Sequence, residues 1–250
     1  MAHELLELSC NTCDETKDLS LEERLEKFKE ALKDGSSLKD LNINGENFLH
    51  ILLWDFKENG IKISLLHEFI NSKDIPEQIK KDLFFQTTDD DEAPIDYLIE
   101  TLENGDNKII EGNLITDLFK KVFTTEEKLK ILAIEKEDGE IVGHTFSNIS
   151  EELFLMILFD EENKIENLSY EEKLEFLEIL KAIDEDGEAI YTTITDKPVN
   201  EYIESPEEML ENINKEIEFY LNKRREDNKI KKQITKTNNR NNKSTINQKG

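Results

Sequence analysis

The sequence contains few of the residues from which catalytic and metal sites are usually built. Among its 250 residues are two cysteines, four histidines and nine glycines. Two cysteines cannot make a disulfide scaffold, and such low usage is typical of a reducing compartment. The glycine-rich phosphate loops, the nucleophile elbow and the paired-histidine zinc motif are missing from the sequence. We therefore expect a protein that is not an enzyme, with no catalytic residue, no metal site and no cofactor.

Long apolar runs are also missing. No stretch approaches the ~20 apolar residues that a membrane-spanning helix requires. The N-terminus, Met1–Leu8, is acidic and has neither the basic nor the apolar region of a secretory signal. These absences predict a protein without a membrane span and with a cytoplasmic location.

Basic residues are scarce except at the C-terminus. The chain has 58 acidic and 32 basic side chains, and its formal net charge is −26. Residues 222–250 hold ten basic and two acidic side chains, a charge of +8, which leaves −34 on the preceding 221 residues. An acidic body disfavours direct binding of nucleic acid and favours a protein partner with a basic surface.

The basic tail has little apolar material of its own. It contains three isoleucines and no aromatic residue. Because so little apolar surface cannot offset the entropy lost on ordering, we predict disorder from about residue 226. Two interpretations of the tail stay open: a solubilising segment that lies against the acidic body, or a contact or export segment.

Five helix starts are predicted by recurring capping boxes. In this motif an N-cap side chain and the glutamate three residues later bond reciprocally to backbone amides. The five pairs are Ser20–Glu23, Asp74–Glu77, Thr124–Glu127, Ser169–Glu172 and Ser205–Glu208. They lie 54, 50, 45 and 36 residues apart, which indicates a unit that is used repeatedly.

A second feature recurs between these helices. Four turn segments rich in Asp, Asn and Gly are centred on Gly45, Asp91, Gly139 and Gly187, which are 46, 48 and 48 residues apart. Glycine, and to a lesser degree Asp or Asn, accepts the positive φ of tight turns. A mainly apolar stretch follows each turn. A fixed period of this length predicts a solenoid, in which each unit buries its apolar face against its neighbours.

The turn segments resemble the start of an ankyrin repeat. Gly45–Leu52 is similar to the motif G-x-T-P-L-H-x-A and keeps its Gly45, Leu49 and His50. Asp91–Leu98 keeps the proline and an aliphatic residue at the leucine position. The period exceeds the ~33 residues of an ankyrin unit, and the capped helix accounts for the surplus. A HEAT-like array, with units of about 40 to 47 residues, is the alternative.

Together these patterns predict an all-α fold. We expect a helical solenoid of about four ankyrin-like units, each enlarged by an extra capped helix, with a disordered C-terminal tail. The expected segments are a flexible N-terminal segment at 1–18, the ankyrin-like array at 19–224 and the basic tail at 225–250.

Cys10-Asn11-Thr12-Cys13 is the one pattern that suits metal or redox chemistry. A structural zinc site needs four ligands, and the sequence has no second pair of cysteines. A thioredoxin-like motif belongs in a βαβ unit, which the sequence does not predict here. We therefore interpret the two cysteines as incidental thiols.

The acidic runs do not have the spacing of a calcium loop. An EF-hand places an oxygen ligand five residues before its glycine, and counting back from Gly187 and Gly139 gives Ala182 and Ile134. We interpret these runs as solvated turns. Trp54 and Phe56 lie beside Leu52 and Leu53, and core packing is the favoured role of both aromatic side chains, with a binding hot spot as the alternative.

The favoured function is a non-catalytic protein–protein interaction module with an acidic concave surface. The ankyrin resemblance implies that the turn tips and the first helix of each unit contact the partner, and it also implies an effector delivered into a host cell. The predicted partner-binding residues are Asp89, Asp90, Asp91, Glu137, Asp138, Glu185 and Asp186. Solubility alone is the other interpretation of these acids. The alternative function is an acidic mimic of nucleic acid that inhibits a DNA- or RNA-binding protein.

Overall fold

The computed structural model describes residues 4–10, 16, 18–54, 60–103, 114–136, 139–197 and 205–246. All regular structure in these ranges is helical, and the β pairing seen there consists of two isolated bridges, Glu135–Ile141 and Ile183–Ala189. The predicted all-α class is therefore confirmed. Along the same ranges, no helix combines the length and the apolar character that a bilayer crossing requires.

The described residues contain thirteen α-helices and one short 3-10 helix. The helices are α1 (Glu4–Ser9), α2 (Leu21–Asp34), α3 (Phe48–Leu53), α4 (Gly60–Asn71), α5 (Glu77–Phe84), α6 (Pro94–Glu103), α7 (Leu114–Val122), α8 (Thr125–Leu132), α9 (Val142–Ile149), α10 (Glu151–Leu158), the 3-10 helix Ile165–Asn167, α11 (Tyr170–Lys181), α12 (Ile190–Thr195) and α13 (Pro206–Ile246). They belong to two compact units, Met1–Leu158 and Phe159–Gly250. This division falls inside the segment 19–224, for which we expected one array.

In the first compact unit, helices that occupy equivalent positions after successive turns pack against each other. The helices that directly follow the turns pack side by side, α3 on α6 and α6 on α9. The helices after those do the same, α4 on α7 and α7 on α10. Each of these six helices therefore packs against a helix that lies about one period away in the sequence.

Phenylalanine rings connect these helices through the core of the first compact unit. Their centroids lie 5.2–6.1 Å apart in edge-on or tilted contacts. Such contacts stabilise the core beyond the burial of their area. In order of contact the rings are Phe28, Phe48, Phe69, Phe84, Phe123, Phe119 and Phe146.

Three of the five predicted capping boxes are confirmed, at Ser20, Thr124 and Ser169. Ser205 also caps its helix, because its hydroxyl accepts the amide of Glu208 at 3.2 Å. The box predicted at Asp74 is wrong.

The reason for the failure at Asp74 is a proline. The N-cap of α5 is Pro76, in an extended conformation and without a side-chain cap. A residue before proline is disfavoured in the helical region, so Ile75 cannot begin a helix that Asp74 would cap. The helix starts at Glu77 instead, and the glutamate of the predicted box becomes its first residue.

In the first compact unit, buried cationic side chains donate hydrogen bonds to the carbonyls at the ends of three helices. Arg24 donates to carbonyls at the end of α1, Lys62 to carbonyls at the end of α3, and Lys80 to carbonyls at the end of α4. The Nζ of Lys80 lies 2.8 Å from the oxygen of Ile70 and 2.7 Å from that of Ser72. A cation suits the negative end of the helix dipole and satisfies carbonyls that the helix leaves unpaired.

The second compact unit is built from α11, α12 and α13. Residues on one stripe of α13 are buried, namely Met209, Ile213, Ile217 and Leu221. The amide of Asn212 donates to the buried hydroxyl of Tyr191 at 3.0 Å. Helix α13 packs on both α11 and α12.

Helices are described near both ends of the chain. The segment 1–18, expected to be flexible, contains α1, in which Leu5, Leu6 and Leu8 are buried. Helix α13 is described to Ile246, and the disorder expected from about residue 226 stays a prediction. Extending an existing helix requires no new nucleus, and no proline interrupts the tail.

The prediction of a free thiol at Cys10 is wrong. Cys10 is disulfide-bonded, and Cys13 lies outside the described residues. The Cys10 carbonyl accepts hydrogen bonds from Arg24 at 3.1 Å and from the hydroxyl of Thr16 at 3.3 Å. The end of α1 is therefore joined to α2 through a buried side chain and not left to fray.

Candidate partner-binding surface

The four turns predicted from the sequence period share one backbone geometry. In each, the first residue donates its amide to the carbonyl of the fifth, at 2.7–3.0 Å, and the fourth donates to the carbonyl of the first, at 3.0–3.2 Å. The fourth residue has a positive φ in every turn: 78° at Gly45, 62° at Asp91, 86° at Gly139 and 79° at Gly187. The turns are Asn42–Glu46, Thr88–Glu92, Lys136–Glu140 and Asp184–Glu188.

The first side chain of the turn adds a second set of hydrogen bonds. Asn42, Thr88 and Asp184 each accept from the amides of the third and fifth residues of their turn, at 2.7–3.3 Å. Lys136 cannot accept, and its ammonium group instead pairs with Glu140 at 3.4 Å. Local side chains therefore support each turn, and the acidic tip residues of the second and fourth turns are exposed.

The residue five places after the positive-φ position fixes the start of the following helix. His50, Asp96 and His144 occupy this place, and each accepts the backbone amide three residues earlier, at 3.0, 2.8 and 3.2 Å. This bond occupies an amide that the first turn of a helix leaves unpaired. In α12, the helix after the fourth turn, Thr192 occupies this place, and the N-cap Ala189 provides no side-chain cap.

The helix after the first turn is linked directly to the second turn. The Nε2 of His50 lies 3.2 Å from the carbonyl oxygen of Glu92. Since Nδ1 of His50 accepts the amide of Asn47, Nε2 carries the proton and donates to Glu92. The buried amide of Asn47 donates to the carbonyl of Leu83 at 2.9 Å and to the side chain of Gln86 at 3.1 Å.

Burial keeps the imidazole of His50 neutral. Desolvation lowers the pKa of His50 below its ordinary value, although the Glu92 carbonyl and the charge of Glu46 oppose this shift. Neutrality is required by the geometry, because a protonated Nδ1 could no longer accept the amide of Asn47. The link between the first two turns therefore depends on the uncharged ring.

Five of the seven predicted acidic residues lie within the described ranges, and all five are exposed. Asp89, Asp90 and Asp91 are exposed on the second turn, in the first compact unit. Glu185 and Asp186 are exposed on the fourth turn, in the second compact unit. Glu137 and Asp138 lie outside the described residues. The structure therefore brings Asp89, Asp90 and Asp91 together on one tip, next to the first turn.

An aromatic pair beside these turns is a feature that sequence reasoning missed. Trp54, expected in the core, is 57% exposed, while Phe56 lies outside the described residues. Helix α3 ends at Leu53, so Trp54 is its C-cap in an extended conformation and leaves the buried face. Its ring lies 5.6 Å from that of half-buried Tyr97, with the two planes inclined at 59°.

Tyr97 lies in a negative environment. Its hydroxyl donates to the carboxylate of Glu92. Desolvation, this hydrogen bond and the charges of Glu92, Glu46 and Glu100 raise the pKa of Tyr97 well above its usual range. The first and second turns each end in a glutamate whose charge acts on Tyr97, and Glu92 also contacts its ring hydroxyl. The glutamate that ends all four turns was the sequence signal for this arrangement.

Among the described residues, no group of three or more His, Cys, Asp and Glu side chains is arranged to hold a metal ion. The surface offers carboxylates on hydrogen-bonded turns, beside an exposed indole. No protein-family model matches the chain, and neither a curated protein nor a solved structure shows significant similarity to it.

Proposed function

We propose that the chain is a non-catalytic protein–protein interaction module, an ankyrin-like helical scaffold that binds a partner with a basic surface through its acidic turn tips. The observation that carries the proposal is the set of four turns with one backbone geometry, two of which, Thr88–Glu92 and Asp184–Glu188, are described with exposed acidic side chains. Repetition of one turn geometry at a fixed sequence period is typical of scaffolds that bind extended partners.

The hydrogen bonding of the turns supports this function. Because the first side chain and the backbone hold each turn, the tip residues lose little conformational freedom when a partner binds, and preorganised groups bind at lower entropic cost. The charge of the chain supports it as well. A formal net charge of −26 attracts basic partners over distance and speeds their association at low salt.

The test compares two triple variants that change net charge equally. The turn variant carries Asp89→Asn, Asp90→Asn and Asp91→Asn. The control variant carries Glu22→Gln, Glu26→Gln and Glu30→Gln, three exposed positions on one face of α2. Proteins retained from nuclease-treated cell lysate by each immobilised variant are identified, purified and measured for affinity over a range of salt concentrations.

We expect a basic protein that binds the unchanged chain and the control variant but binds the turn variant at least roughly tenfold more weakly, with affinity falling as salt rises. Equal affinity for both variants would contradict the proposal. A partner that duplex DNA displaces, and that binds both variants weakly in proportion to charge, would instead indicate the nucleic-acid mimic.

A further inference from the structure

Trp54 is the one tryptophan in the chain, and it is held in an exposed position by its surroundings. The residue follows the last residue of α3, and its carbonyl accepts the ammonium group of the buried Lys62. The ammonium group of Lys62 also donates to the carbonyl of Ile51 at 3.0 Å. The backbone that carries the indole is therefore fixed although its side chain faces solvent.

Tyr97 is oriented from two sides. The ring of His50 contacts its edge, with centroids 6.0 Å apart and planes at 76°. Its hydroxyl is bonded to Glu92. The rings of His50 and Tyr97 thus belong to α3 and α6, the helices that follow the first and second turns. Both rings are hydrogen-bonded to Glu92 of the second turn.

Carboxylates act on the Tyr97 side of this ring pair. Glu92 bonds the phenol, and the charges of Glu46 and Glu100 also act on it. An inclined indole and phenol with acids beside them provide both attractions that a cationic side chain can use, the negative faces of the rings and the opposite charge of the carboxylates. Arginine suits such a place better than lysine, because its planar, weakly hydrated guanidinium stacks on aromatic rings.

We infer that the Trp54–Tyr97 pair receives an arginine side chain from an extended basic segment of the partner. This inference rests on the proposed function and names the partner's chemistry at one position. The acidic second turn attracts the segment, and the ring pair selects the guanidinium group. The occupant is another protein, because the negative charge of Glu46, Glu92 and Glu100 repels an acidic or nucleic-acid ligand at this place.

The experiment uses the single tryptophan as its reporter. The full-length chain is titrated with an acetylated, amidated peptide of alternating glycine and arginine, and with matched peptides in which lysine or neutral citrulline replaces arginine. We expect the arginine peptide to change the emission of Trp54 and to bind more tightly than the lysine peptide. The citrulline peptide should bind weakly and leave the emission unchanged.

Variants separate the ring pair from general charge attraction, with a fluorescein-labelled arginine peptide followed by anisotropy. Trp54→Leu and Tyr97→Leu should each weaken binding roughly two- to fivefold. Tyr97→Phe keeps the ring and should retain binding. Tyr170→Leu removes an aromatic residue that is 72% exposed on the second compact unit and should have no effect. Denaturation midpoints identify any variant that fails to fold.

The outcomes distinguish this inference from the proposed function. One outcome would overturn the ring-pair site and leave the acidic tip as the binding surface. In it, the turn variant loses peptide binding, Trp54→Leu retains it, and the peptide does not change the Trp54 emission of the unchanged chain. Equal binding of the arginine and citrulline peptides would also overturn it, because the contact would then be apolar. Arginine-peptide binding that neither the turn variant nor Trp54→Leu weakens would overturn both.

Discussion

The Nε2 of His50 lies 3.2 Å from the carbonyl oxygen of Glu92, so the helix after the first turn is tied to the backbone of the second turn. The two residues are separated by 42 positions in the chain. The same imidazole accepts the amide of Asn47 through Nδ1, at 3.0 Å. One neutral ring therefore stabilises both the start of α3 and the contact between neighbouring turns.

Acid should weaken this link before it affects the carboxylates. Desolvation lowers the pKa of His50 below 6.5, so the unfolded chain binds more protons than the folded chain at mildly acidic pH. The free energy of unfolding should therefore fall as the pH drops below 6.5, until the folded-state pKa is passed. Chemical denaturation from about pH 7.5 to about pH 5 measures this slope.

The control for this prediction is His50→Gln. Glutamine can accept the amide of Asn47 and donate to the carbonyl of Glu92, yet it does not titrate. The variant should fold and show a flatter pH dependence than the unchanged chain. Parallel slopes for the two proteins would show that His50 does not titrate in this range.

Replacing Asp91 by glycine should stabilise the first compact unit. Asp91 has a φ of 62°, a left-handed conformation in which the other three turns have glycine. Relief of this conformation is worth up to ~1 kcal/mol, and the greater freedom of glycine in the unfolded chain offsets part of it. We expect the free energy of unfolding to rise by about 0.5 kcal/mol.

Asp90→Gly is the matched control, since it removes the same charge from the next position, where the structure records no positive φ. It should leave stability unchanged or lower it slightly. If both variants stabilise the protein equally, relief of charge repulsion and not backbone conformation is the cause.

The sequence predicted those features that local chemistry determines. The turns at Gly45, Asp91, Gly139 and Gly187 follow from their period and from the need for a positive φ, and the three confirmed capping boxes follow from Ser or Thr with Glu three residues later. The all-α class follows from the same signals, because each turn lies between segments with helical periodicity.

The features it did not predict depend on where helices end. Trp54 is exposed because α3 stops at Leu53, after only six residues, and apolar neighbours in the sequence do not reveal that end. Lys62 and Lys80 are buried because the end of another helix supplies carbonyls to them. A lysine in a sequence is ordinarily assigned to the surface, so its burial becomes visible only once two helices are placed together.

Loss of a buried lysine should cost more stability than loss of an exposed one. Lys80→Met keeps the aliphatic stem but leaves the carbonyls of Ile70 and Ser72 without their charged donor. Because bonds from charged donors are stronger than neutral ones and buried acceptors are costly to leave unpaired, we expect a loss of about 2 kcal/mol in urea denaturation. Lys130→Met removes a pair with Glu126 in which both side chains are 64% exposed, and it should change stability by less than about 0.5 kcal/mol. Equal losses would show that the carbonyls bonded to Lys80 are satisfied in another way.

Two N-cap substitutions with the same product side chain should differ in their effect on stability. Asn47 is fully buried, and its amide donates to the carbonyl of Leu83 and to Gln86. Asn47→Asp keeps the capping oxygen but turns a donor into a carboxylate that faces a carbonyl oxygen without water. Leaving that acceptor unpaired and burying a charge should lower the free energy of unfolding by about 3 kcal/mol at neutral pH.

The exposed N-cap Ser20 provides the comparison. Aspartate is as good as serine at an exposed N-cap and suits the helix dipole, so Ser20→Asp should be nearly neutral. The deficit of Asn47→Asp should also shrink in acid. Burial raises the folded-state pKa of the new carboxyl, so the folded chain binds its proton first, and stability is regained as the pH falls through that raised pKa towards the unfolded value of about 3.9. Urea denaturation of both variants at several pH values measures this, and a deficit that stayed constant with pH would mean that the carboxyl at position 47 reaches water.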